Sequence, residues 1–206
     1  MAAHAQSVIP NLIIVSGLPG SGKSMLAQQL AVHLALPLIQ KDMIKESLYD
    51  SLGCTDLAQS QSYGRASMAL LYQFAEVILK SGQSCIMESV FYPFLAMPDF
   101  AQLHQRTPFF PIQIHCHAER AILSERIDRR WESGERHRGH MENLRAFDPD
   151  QLIPPEFLQA LPLDGPVIEF DTTDSEAINY NVVFTQVQTI LAEVARSRTQ
   201  ARSSRK

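Results

Sequence analysis

Residues Gly17 to Ser24 read Gly-Leu-Pro-Gly-Ser-Gly-Lys-Ser. Glycines, a lysine and a serine at this spacing fit G-x-x-x-x-G-K-[ST], the pattern of a loop that wraps phosphate groups. Gly17, Gly20 and Gly22 allow backbone conformations that a β-carbon forbids. The turned amides, with a helix N-terminus behind them, form a concave anion site. Lys23 can then reach β- and γ-phosphates, and the Ser24 hydroxyl can hold Mg²⁺. The expected nucleotide-binding residues are Gly17, Pro19, Gly20, Ser21, Gly22, Lys23, Ser24 and Met25. ATP with Mg²⁺ is the expected pair, although these residues do not choose between ATP and GTP.

Such a loop functions only between a strand and a helix. Asn11 to Ser16 (NLIIVS) reads as a short buried strand and Met25 to Leu36 as a helix. The alternation continues along the chain. Strands are expected at Pro37–Gln40, Ser84–Glu88, Pro111–Cys116 and Gly165–Asp171. Helices are expected at Asp42–Leu52, Ala58–Lys80, about Phe94–Arg106, Ala118–Glu132 and Asn179–Arg196. In the long third helix Met68, Leu71, Tyr72, Ala75, Ile78 and Leu79 share one face at helical spacing, most simply a core stripe. Strands alternating with helices imply an α/β fold, a parallel sheet covered on both faces. Ligands in such sheets lie at the C-terminal strand ends, so the residues there carry the argument.

Asp42 follows the second strand. A carboxylate at that edge can take the proton of an attacking hydroxyl as phosphate transfers. It can equally cap the helix that it begins. Lys45, further along the same helix, could pair with an anionic acceptor group or be solvated. Glu88 ends the apolar third strand (CIME), where it could hold Mg²⁺ or a water of its shell; buried without a partner it would be expensive. The fifth helix and the segment after it carry Arg120, Arg126, Arg129, Arg130, Arg136 and Arg138. Arg126 and Arg130 share a face and are the favoured arginines for the charge spread over a transferring phosphoryl group. The acids around them could instead make surface ion pairs. Asp171-Thr-Thr-Asp174 after the fifth strand could lie beside the nucleotide, Thr172 above all, or form an Asx turn. Tyr49, Tyr63, Arg65 and Met68 are candidates to line an acceptor pocket, and Phe91 to Phe94 could be pocket wall or packing. His115, His117, His137 and His140 lack an arranged fourth ligand for zinc.

The 206 residues, 45% hydrophobic and 19% charged, suit one α/β domain at 1–195. A lid is expected over about 118–153, where Glu132 to Ile153 lacks apolar periodicity. Residues 196–206 read as a basic, disordered tail. The chain carries −4, but the five basic residues of that tail leave the rest at −9, a poor surface for nonspecific polyanion binding. No apolar run has the length of a membrane span and no secretory signal is visible. Three widely spaced cysteines read as free thiols in a reducing, cytoplasmic setting.

Together, GLPGSGKS, KDMIKESL, IMES, ERIDRR and VIEFDTT resemble the P-loop kinase group that includes polynucleotide 5′-hydroxyl kinase, chloramphenicol phosphotransferase and zeta-toxin-like kinases. The resemblance spans roughly 11–195 and implies a P-loop NTPase fold: a three-layer α/β/α sandwich with a five-stranded parallel sheet and a helical lid. It implies Lys23 and Ser24 on phosphates and Mg²⁺, and Asp42 as general base for the acceptor hydroxyl. It also implies Lys45 on the acceptor side, Glu88 where an aspartate is common, and Arg126 and Arg130 over the transferring phosphate. Arg136-His-Arg-Gly-His140 resembles the RHPGH lid sequence of a subgroup, with Arg138 in place of proline. The function expected is ATP-dependent transfer of phosphate to a hydroxyl of a small molecule, with Asp42, Lys45, Arg65 and Glu88 toward the acceptor, by a monomer or homodimer. A polynucleotide or nucleotide 5′-hydroxyl kinase is the less favoured reading, because the body is acidic and shows no aromatic–basic groove pattern. A nucleotide-gated binding or toxin-type regulatory protein is the third; it would need neither Asp42 nor Glu88.

Overall fold

The computed structural model describes residues 9–134, 136–140 and 159–203, with side chains described as far as 200. Among the described residues, five strands and six helices follow in the order β1 (Asn11–Gly17), α1 (Lys23–Leu34), β2 (Leu38–Gln40), α2 (Lys41–Leu52), α3 (Leu57–Lys80), β3 (Cys85–Glu88), α4 (Pro93–Arg106), β4 (Phe110–His117), α5 (Arg120–Glu132), β5 (Val167–Asp171) and α6 (Tyr180–Ser203). A 3₁₀ turn spans Arg138–His140. The sheet is parallel throughout, in the order β2-β3-β1-β4-β5.

The central strands are apolar on both faces because both are covered. Leu12 and Ile14 point into a core built with α3 and α4, through Leu71, Tyr72, Ala75, Leu79, Phe100 and Leu103. Ile13 and Val15 point the other way, onto Leu26, Ala27 and Leu30 of α1 and Val183, Phe184 and Val187 of α6. This period-two division makes the three layers. The stripe expected on α3 is this core face, with Met68 and Ile78 at its partly buried margin. Register sets the height of the functional residues. Glu88 lies level with Val15 on one side and Gln40 on the other, while Gly17 is level with Cys116. The C-terminal ends of β1, β2 and β3 therefore converge on one edge.

Two local expectations need correction. Asp42 does not cap α2: the strand runs straight into the helix, Gln40 is the extended N-cap residue and Asp42 is in the first turn. The basic tail is also not disordered from 196, since α6 continues to Ser203. Arg198 anchors that extension, donating to Asn11 Oδ1 at 3.1 Å with its guanidinium 5.9 Å from the Phe110 ring centre. Of the expected lid, residues 135 and 141–153 lie outside the described residues. Among the described residues no helix is long and apolar enough to cross a membrane, and all three cysteines are free thiols.

Candidate active site

The phosphate loop connects β1 to α1. Gly17 has φ +141°, and a β-carbon there would lie 2.2 Å from the Cys116 carbonyl oxygen. At Gly20, φ +83°, one would meet the Leu123 carbonyl oxygen at 2.8 Å, so the loop passes directly under α5. Gly22 is the left-handed N-cap of α1. The first turn of α1, from Lys23, leaves amides without intrahelical acceptors, and these supply the anion site.

Glu88 is 3% exposed, and its burial is compensated by neighbours. Ser24 Oγ donates to Oε1 at 3.2 Å, Gln40 Nε2 donates to Oε2 at 3.0 Å, and Lys23 Nζ stands 3.9 Å from Oε1. Gln28 Nε2 in turn donates to Gln40 Oε1 at 3.2 Å, which fixes the Gln40 amide with its donor toward the carboxylate. A hydroxyl and a carboxylate side by side next to a phosphate loop are hard oxygen donors, and they fit Mg²⁺.

Asp42 faces these groups across a cleft of about 1110 Å³ whose lining includes Lys23, Ser24, Asp42, Glu88, Arg130 and Arg136. Lys41 Nζ lies 3.3 Å from Asp42 Oδ1, and Arg136 lies 3.0 Å from Oδ2. Burial alone would raise the Asp42 pKa; the charges of Lys41, Arg136, His140 and Lys23 outweigh it and hold the carboxyl well below the usual carboxylate range. The Arg136 contact is the first of a series. Asp42, Glu46 and Asp50 recur every four residues along α2, and each meets a residue of segment 136–140. His140 Nε2 is 2.9 Å from Glu46 Oε1 and His137 Nε2 is 3.0 Å from Asp50 Oδ1. Ser60 of α3 donates to the Gly139 carbonyl at 2.9 Å, and Gly139 sits so close to Tyr49 that a β-carbon would fall 2.4 Å from the ring. Burial pushes His140 down to about 3, so its ring is neutral at pH 7. Its Nε2 then carries the proton donated to Glu46. The Glu46 carboxyl is raised by its own burial and by the Asp42 charge.

A family profile described as an AAA domain matches residues 12–148. The chain belongs to that family. A presumed kinase from Chloroflexus aurantiacus J-10-fl is 40% identical, with 89% of this chain and 99% of that one covered and a TM-score of 0.79. Two more distant structures share the fold. Chaetomium thermophilum Kti12, solved with ADP-AlF₃, is 22% identical, with 87% and 98% covered and a TM-score of 0.57. A gluconokinase from Sinorhizobium meliloti 1021 is 16% identical, with 94% and 98% covered and a TM-score of 0.51. An uncharacterized protein of Mycobacterium tuberculosis H37Rv is 28% identical over 131 residues, 60% of this chain and 26% of that one, so the chain spans about a quarter of the curated relatives it matches. The family and fold make this AAA-domain protein a nucleotide-binding P-loop protein of the kinase-like type.

Within this AAA-domain site, several expected residues fall elsewhere than the sequence suggested. Lys45 does not line the cleft: it is 1% exposed and donates to Ser60 Oγ at 2.8 Å. Arg126 turns onto the loop backbone, donating to Gly20 O at 3.3 Å, Thr172 Oγ1 at 3.1 Å and Thr172 O at 2.5 Å. Thr172 Oγ1 also lies 3.1 Å from the Ser21 carbonyl, so it touches the loop, while Asp171 accepts from Thr173 in an Asx turn. Arg65 and Met68 line the cleft, whereas Tyr63 bonds the Gly53 carbonyl and Tyr49 packs on Gly139. Phe91 is core and Tyr92 is cleft wall. His115 is buried against Ser16, and no group of three metal-type ligands occurs among the described residues. Sequence reasoning missed Gln40 as the orienter of Glu88 and Arg136 as the partner of Asp42.

Proposed function

We propose that the protein transfers the γ-phosphate of ATP, with Mg²⁺, to a hydroxyl group of a small molecule. The observation that carries this reading is the position of Asp42 across one cleft from Lys23, Ser24 and Glu88. A nucleotide binder without turnover has no use for an acid there. Ser24 and Glu88 would hold Mg²⁺, which when bound neutralises phosphate charge. Lys23 and the loop amides position the β- and γ-phosphates, and Arg130 lies in the cleft wall where charge on the transferring group can be met.

Asp42 is anionic, with one cation on each carboxylate oxygen. A carboxylate oxygen has two acceptor directions, so each retains one for the acceptor hydroxyl. With its pKa held low, Asp42 is a weak base. It orients the hydroxyl first and takes the proton only as the new O–P bond forms. Segment 136–140, docked on α2, acts as the described part of a lid over the acceptor end. Nucleic acid is the less favoured acceptor, and free thiols suit a cytoplasmic setting.

The test is ADP release with ATP and Mg²⁺ across sugars, nucleosides, amphipathic alcohols and a 5′-hydroxyl oligonucleotide, with Asp42→Asn in parallel. Loss of acceptor-dependent turnover by about a hundredfold or more, with nucleotide affinity retained, is expected. Turnover intact in Asp42→Asn would refute the mechanism.

A further inference from the structure

Lys45 and Ser60 are both buried behind the part of the cleft wall that Arg136 and His140 form. An ammonium withdrawn from water is costly unless its protons are given to acceptors. Lys45 Nζ gives one to Ser60 Oγ at 2.8 Å, and Ser60 gives its own to the Gly139 carbonyl at 2.9 Å. The direction of this chain is fixed. An ammonium only donates, so the serine oxygen accepts from it and the single hydroxyl proton points at Gly139.

Ser60 behaves unlike its neighbours on α3. Ser62 and Ser67 donate back to the carbonyls four residues earlier, Ala58 at 3.1 Å and Tyr63 at 2.6 Å, the common habit of a helical serine. Ser60 instead reaches across to segment 136–140. The other ties of that segment are wetter. The Gly139 N–H donates to His137 Nδ1 at 3.1 Å, so the His137 proton is on Nε2 and goes to Asp50. The Asp50 side chain is 68% exposed, and water can take its place. The Gly139 carbonyl is buried against Ser60, so losing that donor leaves it without a replacement.

We propose that Lys45 and Ser60 are positioning residues: through the Gly139 carbonyl they seat segment 136–140 on α2 and so hold Arg136 on Asp42, 3.0 Å away. Lys45 then acts from behind the site instead of touching an acceptor. The bearing of this on catalysis rests on the phosphotransfer reading above; the seating of Arg136 does not. Without the Ser60 hydroxyl the segment keeps its side chains but loses its buried anchor. The Arg136 guanidinium is released to water, and the Asp42 carboxylate keeps Lys41 but loses the cation on its other oxygen. Glu46 and Asp50, on the same face of α2, lose His140 and His137 in the same movement.

The test is a double-mutant cycle on the full chain, with neither nucleotide nor acceptor present. Unfolding constants from urea titrations at neutral pH, for wild type, Arg136→Met, Asp42→Asn and the two combined, give the Arg136–Asp42 coupling, expected at about fivefold. In the Ser60→Ala background the coupling is expected to vanish, and hydrogen-exchange protection of segment 136–140 to fall about tenfold or more. Lys45→Met is expected to do the same. Ser60→Ala removes no charge and decides the case if Lys45→Met does not fold. Ser67→Ala is the control: it also removes a buried α3 hydroxyl, so stability falls while the coupling stays. A coupling absent from wild type, unchanged by Ser60→Ala or by a folded Lys45→Met, or lost equally in Ser67→Ala, overturns the inference. Turnover that survives Asp42→Asn, with the coupling still dependent on Ser60, refutes the phosphotransfer mechanism and supports the positioning role.

Discussion

Arg126 offers the sharpest separation between a residue that acts on phosphate and one that acts through the loop holding it. Its guanidinium bonds Gly20 O, Thr172 Oγ1 and Thr172 O, joining the phosphate loop to the end of β5. A charge-assisted hydrogen bond contributes about 1.5–3 kcal/mol when its partner is left unpaired. The Gly20 contact is long, and Arg126 is half-buried, so water can replace part of what Arg126→Ala removes. A net loss of about 2 kcal/mol in loop order is the reasonable figure. If the ordered loop is the binding-competent state, the apparent Kd for ADP with Mg²⁺ rises about thirtyfold. Lysine cannot reproduce the fork, so Arg126→Lys should resemble Arg126→Ala despite keeping the charge. Isothermal titration with ADP measures this without any knowledge of the acceptor. An unchanged ADP affinity in both variants, with kcat reduced, would refute the reasoning and return Arg126 to the transferring phosphate.

Other expectations follow from the same geometry. Glu88→Gln leaves Gln40 Nε2 facing a neutral amide and removes the carboxylate expected to hold Mg²⁺, so the Mg²⁺ concentration for half-maximal ADP binding should rise about tenfold or more; fluorescence titration of Mg²⁺ at fixed nucleotide checks it. Asp42 has a depressed pKa in the folded state, so its stabilising contribution is fully present above the ordinary value near 3.8 and is lost as pH falls below it. Urea titrations should therefore show wild type more stable than Asp42→Asn at pH 6, with the gap holding down to about pH 4 and narrowing only as pH falls below the ordinary value near 3.8. Gly139→Ala drives a methyl into the Tyr49 ring and should cost about 1–3 kcal/mol, read as weaker protection of segment 136–140 from hydrogen exchange; adding Tyr49→Ala should recover most of it.

The parts of this site legible in the sequence are those whose physical requirement is local. The glycine spacing of residues 17–22 encodes backbone angles that a reader can infer without neighbours, and φ is positive at all three glycines. Glu88 was legible because an acid closing an apolar strand needs partners, and it has three. The parallel sheet covered on both faces was legible because strand-like runs alternate with helical ones, whereas the strand order was not. What stayed hidden depends on contacts between distant segments. Nothing local says that Ser60 of α3 would cover Lys45, or that Arg126 would bond Thr172, 46 residues away, rather than face the cleft. The tail misled because Ser/Arg composition describes solvated chain and gives no weight to Asn11 and Phe110 waiting at the sheet edge for Arg198.

The lid contact is the instructive intermediate. Asp42, Glu46 and Asp50 form an acidic stripe at i, i+4 and i+8, a repeat that a helix places on one face where like charges repel. Such a face needs cations or donors from elsewhere. The Arg136-His-Arg-Gly-His140 segment brings one arginine and two imidazoles within 3.0 Å of those acids. One acid of the three is the proposed base and the other two fasten the segment that covers it. Docking of segment 136–140 and the electrostatic state of Asp42 are thus one equilibrium: whatever lifts the segment from α2 also takes Arg136 from Asp42 and raises its pKa toward that of an ordinary carboxylate. If Asp42 is the base proposed above, acceptor entry and base strength are coupled through the Arg136–Asp42 salt bridge.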